Sequence, residues 1–250
     1  MSRIRHHPEA PTEVRHLPGG AGVDLHRHDG PQLISASTGV LEVLTAEGTW
    51  FTPPTRAVLV PGGTAHTWRV HGATTVRMVG MPTPTQTSVN HPDDPAPSLV
   101  VVTPLVRELL VACSEQGRAE TPAERRLLSV LADQVLPARE APTVVPVLRD
   151  ERLRRVAQVV EERLAEGPSL SDVAREVGAG ERTLSRLFSS ELGMSFTTWR
   201  HQVRLHRANL LLAQGRSVTR VAADCGYATP SAFITVFRAA LGRTPGSVYR

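Results

Sequence analysis

Lysine is absent from this 250-residue chain, so all of its fixed side-chain positive charge is arginine. Composition alone can produce that, and it selects no partner. Cysteine is nearly absent as well: Cys113 and Cys225 stand far apart, each in an apolar stretch of helical spacing. That excludes a CxxC metal or redox motif and predicts two buried free thiols in a reducing compartment. No apolar run approaches the roughly 20 residues that cross a bilayer. The opening residues Met1-Ser-Arg-Ile-Arg-His-His-Pro8 lack the apolar core of a secretion signal. The expected setting is cytoplasmic, with no membrane partner, and the length suits two domains of ordinary size.

What is present is unevenly placed. Residues 151–250 hold 15 Arg against 9 Asp and Glu, a net +6, whereas residues 1–150 hold 13 against 15, a net −2; together these make the +4 of the whole chain. A basic C-terminal part beside a slightly acidic N-terminal part is the footprint of a nucleic-acid-binding domain joined to something else.

The basic part contains a repeat. Ser169 to Gly178, then Glu181 to Phe188, then Leu192-Gly193 is matched 48 to 49 residues later (173 to 221, 184 to 233) by Ser217 to Gly226, Pro230 to Phe237 and Leu241-Gly242. Val173 and Ala174 correspond to Val221 and Ala222, Gly178 to Gly226, Leu184 to Phe233, and Phe188 to Phe237. A short helix, a glycine turn and a second amphipathic helix form a helix-turn-helix. Its occurrence twice makes sequence-specific binding of double-stranded DNA the leading reading. Between the repeats, Phe196 to Gln214 reads as one helix of about 28 Å, rigid enough to hold two recognition helices on major-groove faces roughly 34 Å apart.

Over residues 150–250 the chain resembles the AraC/XylS family of transcription regulators. The resemblance rests on Leu170, Ala174, Gly178, Leu184, Arg186, Phe188 and Gly193, on Trp199, Arg204, Ala208 and Leu211 in the connecting helix, and on Val221-Ala222, Cys225-Gly226-Tyr227, Phe233, Phe237, Gly242, Thr244-Pro245 and Tyr249-Arg250. It implies a homodimer with effector-dependent control, and contact with RNA polymerase where the regulator activates. In the first recognition helix Leu184, Leu187 and Phe188 take the inner face, leaving Arg182, Thr183, Ser185 and Arg186 outward. In the second, Phe233, Val236 and Phe237 are internal, and Ser231, Ala232, Thr235 and Arg238 face out. Arginine's planar fork meets guanine O6 and N7 together, worth about 1–3 kcal/mol per good pair. The small groups of the second helix suit a thymine methyl or a phosphate, so the first helix is expected to carry most direct readout. Glu181 stands where the family often has proline.

Residues 20–82 read as short strands separated by Gly and Pro turns, suiting a small β-barrel or sandwich. Residues 82–98, with five prolines, read as a loop or covering arm. Helical spacing starts near Pro104, with Leu105, Leu109 and Ala112 on one face. A capping box at Thr121-Pro-Ala-Glu124 opens a second helix with stripe Leu127, Leu128, Leu131 and Val135. These helices either pack on the sheet or form a dimer interface. The expected organisation is an effector domain over 1–98, a helical region over 99–136, a proline-rich linker over 137–149, and the DNA-binding domain over 150–250, whose first helix runs from a cap at Asp150 to about Glu166. The fold class is α+β in two domains, a β-barrel with following helices and an all-α double helix-turn-helix.

His26-Arg-His28-Asp-Gly-Pro-Gln32, with Gly39 beyond it, and Pro61-Gly-Gly63-Thr-Ala-His66 carry the remaining chemistry. The pattern resembles the two motifs of the cupin barrel over about residues 22–80. On a strand, His26 and His28 point the same way, and Gln32 and His66 are expected to converge on them from adjacent strands, with Trp68 and Val70 on the face of His66. Three imidazoles suit a divalent transition metal such as zinc, nickel, iron or copper. Glutamine stands where metal-binding cupins place glutamate, so a metal site, a metal-free pocket for an organic effector and a purely structural cluster all remain open. His6-His7 are assigned to a frayed terminus. The reading is a non-enzymatic transcription regulator whose N-terminal domain senses a small molecule or divalent metal; the alternative is a metal-dependent cupin enzyme with an appended DNA-binding module.

Overall fold

A computed structural model of the chain describes residues 4–82, 97–117, 119, 121–135 and 144–249. Ten strands come first: β1 (Arg5–His7), β2 (Glu13–Leu17), β3 (Gly22–His28), β4 (Gln32–Ala36), β5 (Val40–Leu44), β6 (Gly48–Thr52), β7 (Arg56–Val60), β8 (His66–His71), β9 (Thr74–Gly80) and β10 (Ser98–Val101). Helices α1 (Pro104–Gln116) and α2 (Pro122–Gln134) follow, then a short strand β11 (Val144–Pro146). The rest is helical: α3 (Glu151–Glu162), α4 (Leu170–Val177), α5 (Glu181–Leu192), α6 (Phe196–Ala213), α7 (Val218–Asp224), α8 (Pro230–Leu241) and α9 (Pro245–Val248). The chain divides into two compact units, Met1–Ala141 and Pro142–Arg250.

In the first unit the strands lie in two sheets, one running β1-β3-β8-β5-β6 and the other β10-β7-β4-β9-β2. The expected barrel is therefore not one closed sheet. Where β6 passes to β7, the chain runs through Pro53-Pro54, which lack the N–H groups that a continuing ladder needs. Between the sheets lie Ile34, Val43, Val58, Trp68, Val70 and Met78, all buried. The outer face of the second sheet is covered too. Leu33, Leu59, Val79 and Val100 pack there against Val106, Leu109, Leu110, Cys113 and Leu131 of α1 and α2, so β4 is buried along its whole length. The buried face of α1 is thus Val106, Leu109, Leu110 and Cys113; of the stripe Leu105, Leu109 and Ala112, Leu109 is buried whereas Leu105 is half exposed, because one residue of helical phase separates the two stripes. The capping box at Thr121 and Glu124 forms as read.

Boundaries shift in three places. Ser98–Val101 is a strand pairing with β7, so the expected division at 98/99 cuts through β10. Most of the expected covering arm (83–96), the last residue of the expected helical region (136) and the start of the expected linker (137–143) lie outside the described residues. The end of that linker is packed: Val145 and Leu148 lie on the core of the first helix-turn-helix. Asp150 caps α3 as read, but the helix ends at Glu162 instead of near Glu166.

One buried charge anchors the first sheet. The Glu42 carboxylate is only 4% exposed and accepts hydrogen bonds from Arg69 and from His71 at 2.9 Å. Burial alone would raise its pKa, but these donors hold it down at about 2. A depressed carboxylate adds stability above its unfolded value near 4.5 and loses it as pH falls towards 2. Glu42→Gln is therefore expected to cost the unit up to about 3 kcal/mol at neutral pH, less what the half-exposed Arg69 recovers from solvent. Hydrogen exchange of β5 and β8 amides across pH would test this; a wild-type advantage that persists unchanged to pH 2 would refute it.

The second unit has two hydrophobic cores. Leu153, Val156, Val160, Val173, Leu184, Phe188, Phe196, Trp199 and Val203 form one, and Leu205, Ala208, Leu211, Val221, Phe233, Phe237 and Leu241 form the other. The 18-residue helix α6 supplies Phe196, Trp199 and Val203 to the first and Leu205, Ala208, Leu211 and Leu212 to the second. Asn209, fully buried on α6, donates to Leu205 O and accepts from Tyr249 Oη at 2.6 Å, tying the last turn of the chain to this strut.

Candidate nucleic-acid interface and effector pocket

Each repeat folds from the same local signals. Ser169 and Asp172 form a capping box on α4, and Ser217 caps α7. Gly178 (φ +67°) and Gly226 (φ +72°) make the turns in the left-handed region that glycine occupies without penalty. The backbone bond Ala179 N–H to Ala174 O (3.0 Å) has its counterpart in Tyr227 N–H to Ala222 O (2.9 Å). Thr229 then caps α8 with Pro230 in its first turn, whereas α5 starts at Gly180 without a side-chain cap.

The faces fall as the periodicity predicts. Leu184, Phe188, Phe233 and Phe237 are fully buried, with Leu187 and Val236 partly so. Arg182, Ser185 and Arg186 are exposed on α5 and Thr183 is half-buried; Ser231, Ala232, Thr235 and Arg238 are exposed on α8. Among the described residues the side chains of Arg182, Arg186 and Arg238 make no hydrogen bond or ion pair, so three guanidinium forks stand free on these helices. The Thr235 hydroxyl is occupied, donating to Ser231 O at 3.0 Å, which reduces the polar reach of α8 further.

In the first unit the structure brings together every residue singled out for the pocket. A bulge between Val23 and His26 sets His26 directly opposite His66 on β8, and His28 follows two residues on with its side chain on the same buried face. Ring centroids lie 4.3 Å (His26–His66), 5.0 Å (His28–His66) and 6.0 Å (His26–His28) apart. One ligating atom of each lies within 4.8 Å of the others. The Pro61-Gly62-Gly63 turn is held close beneath them: Gly63 N–H donates to His28 O at 2.7 Å, and a Cβ on Gly62 would collide with Asp29 O. Gln32, however, comes from β4 of the facing sheet and not from a strand adjacent to β3 or β8. Hydrophobic alternation fixes which face a residue takes but not which sheet it joins.

Hydrogen bonds set the tautomers. Nδ1 of His26, His28 and His66 lies against the carbonyls of Asp24 (2.9 Å), Gly30 (2.6 Å) and Thr64 (3.0 Å). A carbonyl only accepts, so each Nδ1 carries the proton and each Nε2 keeps its lone pair. The Nε2 atoms of His28 and His66 are buried without a partner, as is Gln32 Oε1, while Gln32 Nε2 donates to Pro11 O. Burial lowers the pKa of all three imidazoles, His66 to about 4, so they are neutral at neutral pH. Converging neutral lone pairs, each oriented through Nδ1 by a backbone carbonyl, match what a divalent transition metal requires of histidine.

Beside the histidines lies a cavity of about 200 Å³ whose lining includes His26, Gln32, Trp68, Met78, Arg15 and His7. His6 and His7 correct the expectation of a frayed terminus. They sit in β1, paired in parallel with β3; His6 donates to Asp29 at 2.8 Å, and the His7 ring stands edge-on to His26 at 5.8 Å. Sequence reasoning also passed over Arg15. A three-residue strand and one arginine in Glu13–Leu17 leave too little periodicity to show that they border a pocket. A larger cavity of about 580 Å³ lies against Val79, Cys113 and Leu128. Among the described residues the His26, His28 and His66 set alone could share a metal ion.

Comparison with known proteins agrees with the double helix-turn-helix. A family described as helix-turn-helix domain matches residues 173–250. The chain is 32% identical over 257 residues to the HTH-type transcriptional regulator NimR of Escherichia coli K12, an alignment covering 97% of this chain and 88% of that one. It is 32% identical over 98 residues to the arabinose operon regulatory protein of the same organism, covering 38% and 34%. A solved AraC-type transcriptional regulator structure from Chromobacterium violaceum is 30% identical over 38% of this chain and 87% of that one, with a TM-score of 0.37. No helix among the described residues is long and apolar enough to cross a membrane. With its paired helix-turn-helix motifs strung on one helix, and its likeness to NimR along almost the whole length, the chain belongs to the AraC family of HTH-type transcriptional regulators and binds DNA through its C-terminal domain.

Proposed function

We propose that this regulator takes up a small molecule or a divalent metal at His26, His28, Gln32, His66 and Trp68, and that occupancy changes how the C-terminal domain engages its operator. It acts as a homodimer, without an enzymatic step, and meets RNA polymerase where it activates. Arg182, Thr183, Ser185 and Arg186 read bases directly, while Ser231, Ala232, Thr235 and Arg238 position the second helix on the backbone and on thymine methyls.

The observation that carries the sensing role is the pair of buried, partnerless Nε2 atoms on His28 and His66. A buried acceptor without a donor costs about 1–3 kcal/mol, so a site keeping two of them side by side is built to be filled. An organic effector would have to bring several donors to one spot; a divalent zinc, nickel, iron or copper ion accepts all three lone pairs at once and supplies a Lewis-acidic positive charge. The ligand moves the DNA equilibrium only by its differential affinity for two states of the protein.

The test is elemental analysis of untagged protein beside His26→Ala/His66→Ala, followed by operator binding with and without the metal found. Expected are about one metal per chain, its loss in the variant, and a metal-dependent change in operator affinity that residues 142–250 alone do not show. An isolated C-terminal unit that still responds to the metal would sink the reading.

A further inference from the structure

The charge around the histidines is unbalanced for a metal. Three neutral imidazoles and the neutral amide of Gln32 leave a divalent ion's charge uncompensated among side chains that are at most 9% exposed. An uncompensated buried charge is strongly unfavourable. Two carboxylates line the adjoining cavity, Glu13 and Asp24, and both face arginines: Glu13 pairs with Arg15 at 2.5 Å and Asp24 lies 4.0 Å from Arg5. Those pairs cancel, so the lining supplies no net negative charge.

We propose that the effector is a small carboxylate-bearing molecule that completes the metal's charge and coordination from this cavity and is gripped by Arg15. The inference rests on the metal reading above and adds what joins the metal. Three observations carry it besides charge. The cavity borders His26 directly and has room for about six or seven water-sized groups, enough for a short dicarboxylate. Val23, Trp68 and Met78 give it an apolar wall for a short carbon skeleton. Arg15 spends one donor on Glu13, and a guanidinium has five, so its fork remains able to take a carboxylate edge-on.

The experiment uses the full chain loaded with Co²⁺, whose visible spectrum reports its ligands, titrated with malonate or with uncharged malonamide. Expected are a saturable spectral change with malonate, none with malonamide, and at least tenfold weaker malonate binding in Arg15→Gln with cobalt affinity unchanged. If Arg15→Gln loses cobalt, Arg15→Lys makes the comparison, keeping the charge without the fork and weakening malonate severalfold. Cobalt uptake with no response to malonate, a response to malonamide or phosphate in its place, or equal malonate binding in the Arg15 variants would overturn the proposal while the metal site stands. Absence of a cobalt spectrum in wild type before any anion is added would overturn both.

Discussion

An Arg182→Ala/Arg186→Ala variant is expected to lose operator recognition while keeping nearly all of its affinity for random DNA. Both side chains stand on the exposed face of α5 without an internal partner, so their removal leaves the core of Leu184 and Phe188 untouched. Each bidentate contact to guanine contributes about 1–3 kcal/mol of discrimination, so the double change should weaken the specific complex by a factor on the order of 30 to 10⁴. If the arginines met phosphates, affinity would fall equally on all sequences and the salt slope would drop by about 1 for each. Fluorescence anisotropy with a selected operator and a scrambled duplex, at two salt concentrations, separates the outcomes. Parallel losses on both duplexes would remove α5 from its role as the main reader.

Gly226→Ala should be the most damaging single-methyl change in the C-terminal unit. Gly226 has φ +72°, and a Cβ there would meet Leu164 O inside van der Waals contact, with Arg204 Nη2 at 2.9 Å and Ala165 O at 3.0 Å. Two of those neighbours are backbone and cannot swing aside. The left-handed conformation costs an alanine about 1 kcal/mol, and displacing the Leu164–Ala165 backbone brings the expected loss to about 3 kcal/mol or more. Gly178, its counterpart, has φ +67° but nothing within 4 Å of the same position, so Gly178→Ala should cost only the conformational part. For a unit of this size that difference separates the two melting temperatures by roughly 8 °C or more. Calorimetry on both variants decides it; equal shifts would show that the contact is relieved without cost.

The helical half was legible in the sequence because its signals are local. Glycine at the turn, serine or threonine at the cap and an apolar residue every third or fourth position act within a dozen residues. The two repeats read the same way twice. The inner faces of α5 and α8 follow directly, and so does α6, one residue shorter than the spacing suggested. The strand half was legible only in part. His26 and His28 share a face as their spacing implied, since alternation along β3 is local; His66 joins them through the β3–β8 pairing, which the likeness to the cupin motifs implied and the spacing alone did not. Which sheet holds Gln32, that Arg5–His7 pairs with β3, and that Arg15 borders the pocket all depend on pairing between distant segments. Period-two patterning carries no record of partners. On α1 the stripe Leu105, Leu109 and Ala112 and the buried set Val106, Leu109, Leu110 and Cys113 differ by one residue of helical phase and make equally good stripes; the sheet beneath chose between them.

Because α6 gives side chains to both cores, the separation and angle between the two recognition helices are properties of a single packed body. DNA offers no such constancy: inserting one base pair between two contacted segments moves them about 3.4 Å apart and turns one roughly 35° around the axis. A flexible pair of reading heads would follow that rotation. This one cannot without breaking apart a core. Mutations that change bases within an operator therefore lower affinity by degrees, whereas those that change its length put one helix out of phase with its groove. Along the promoters this protein controls, the distance between the two contacted segments should be more strictly kept than the letters inside them.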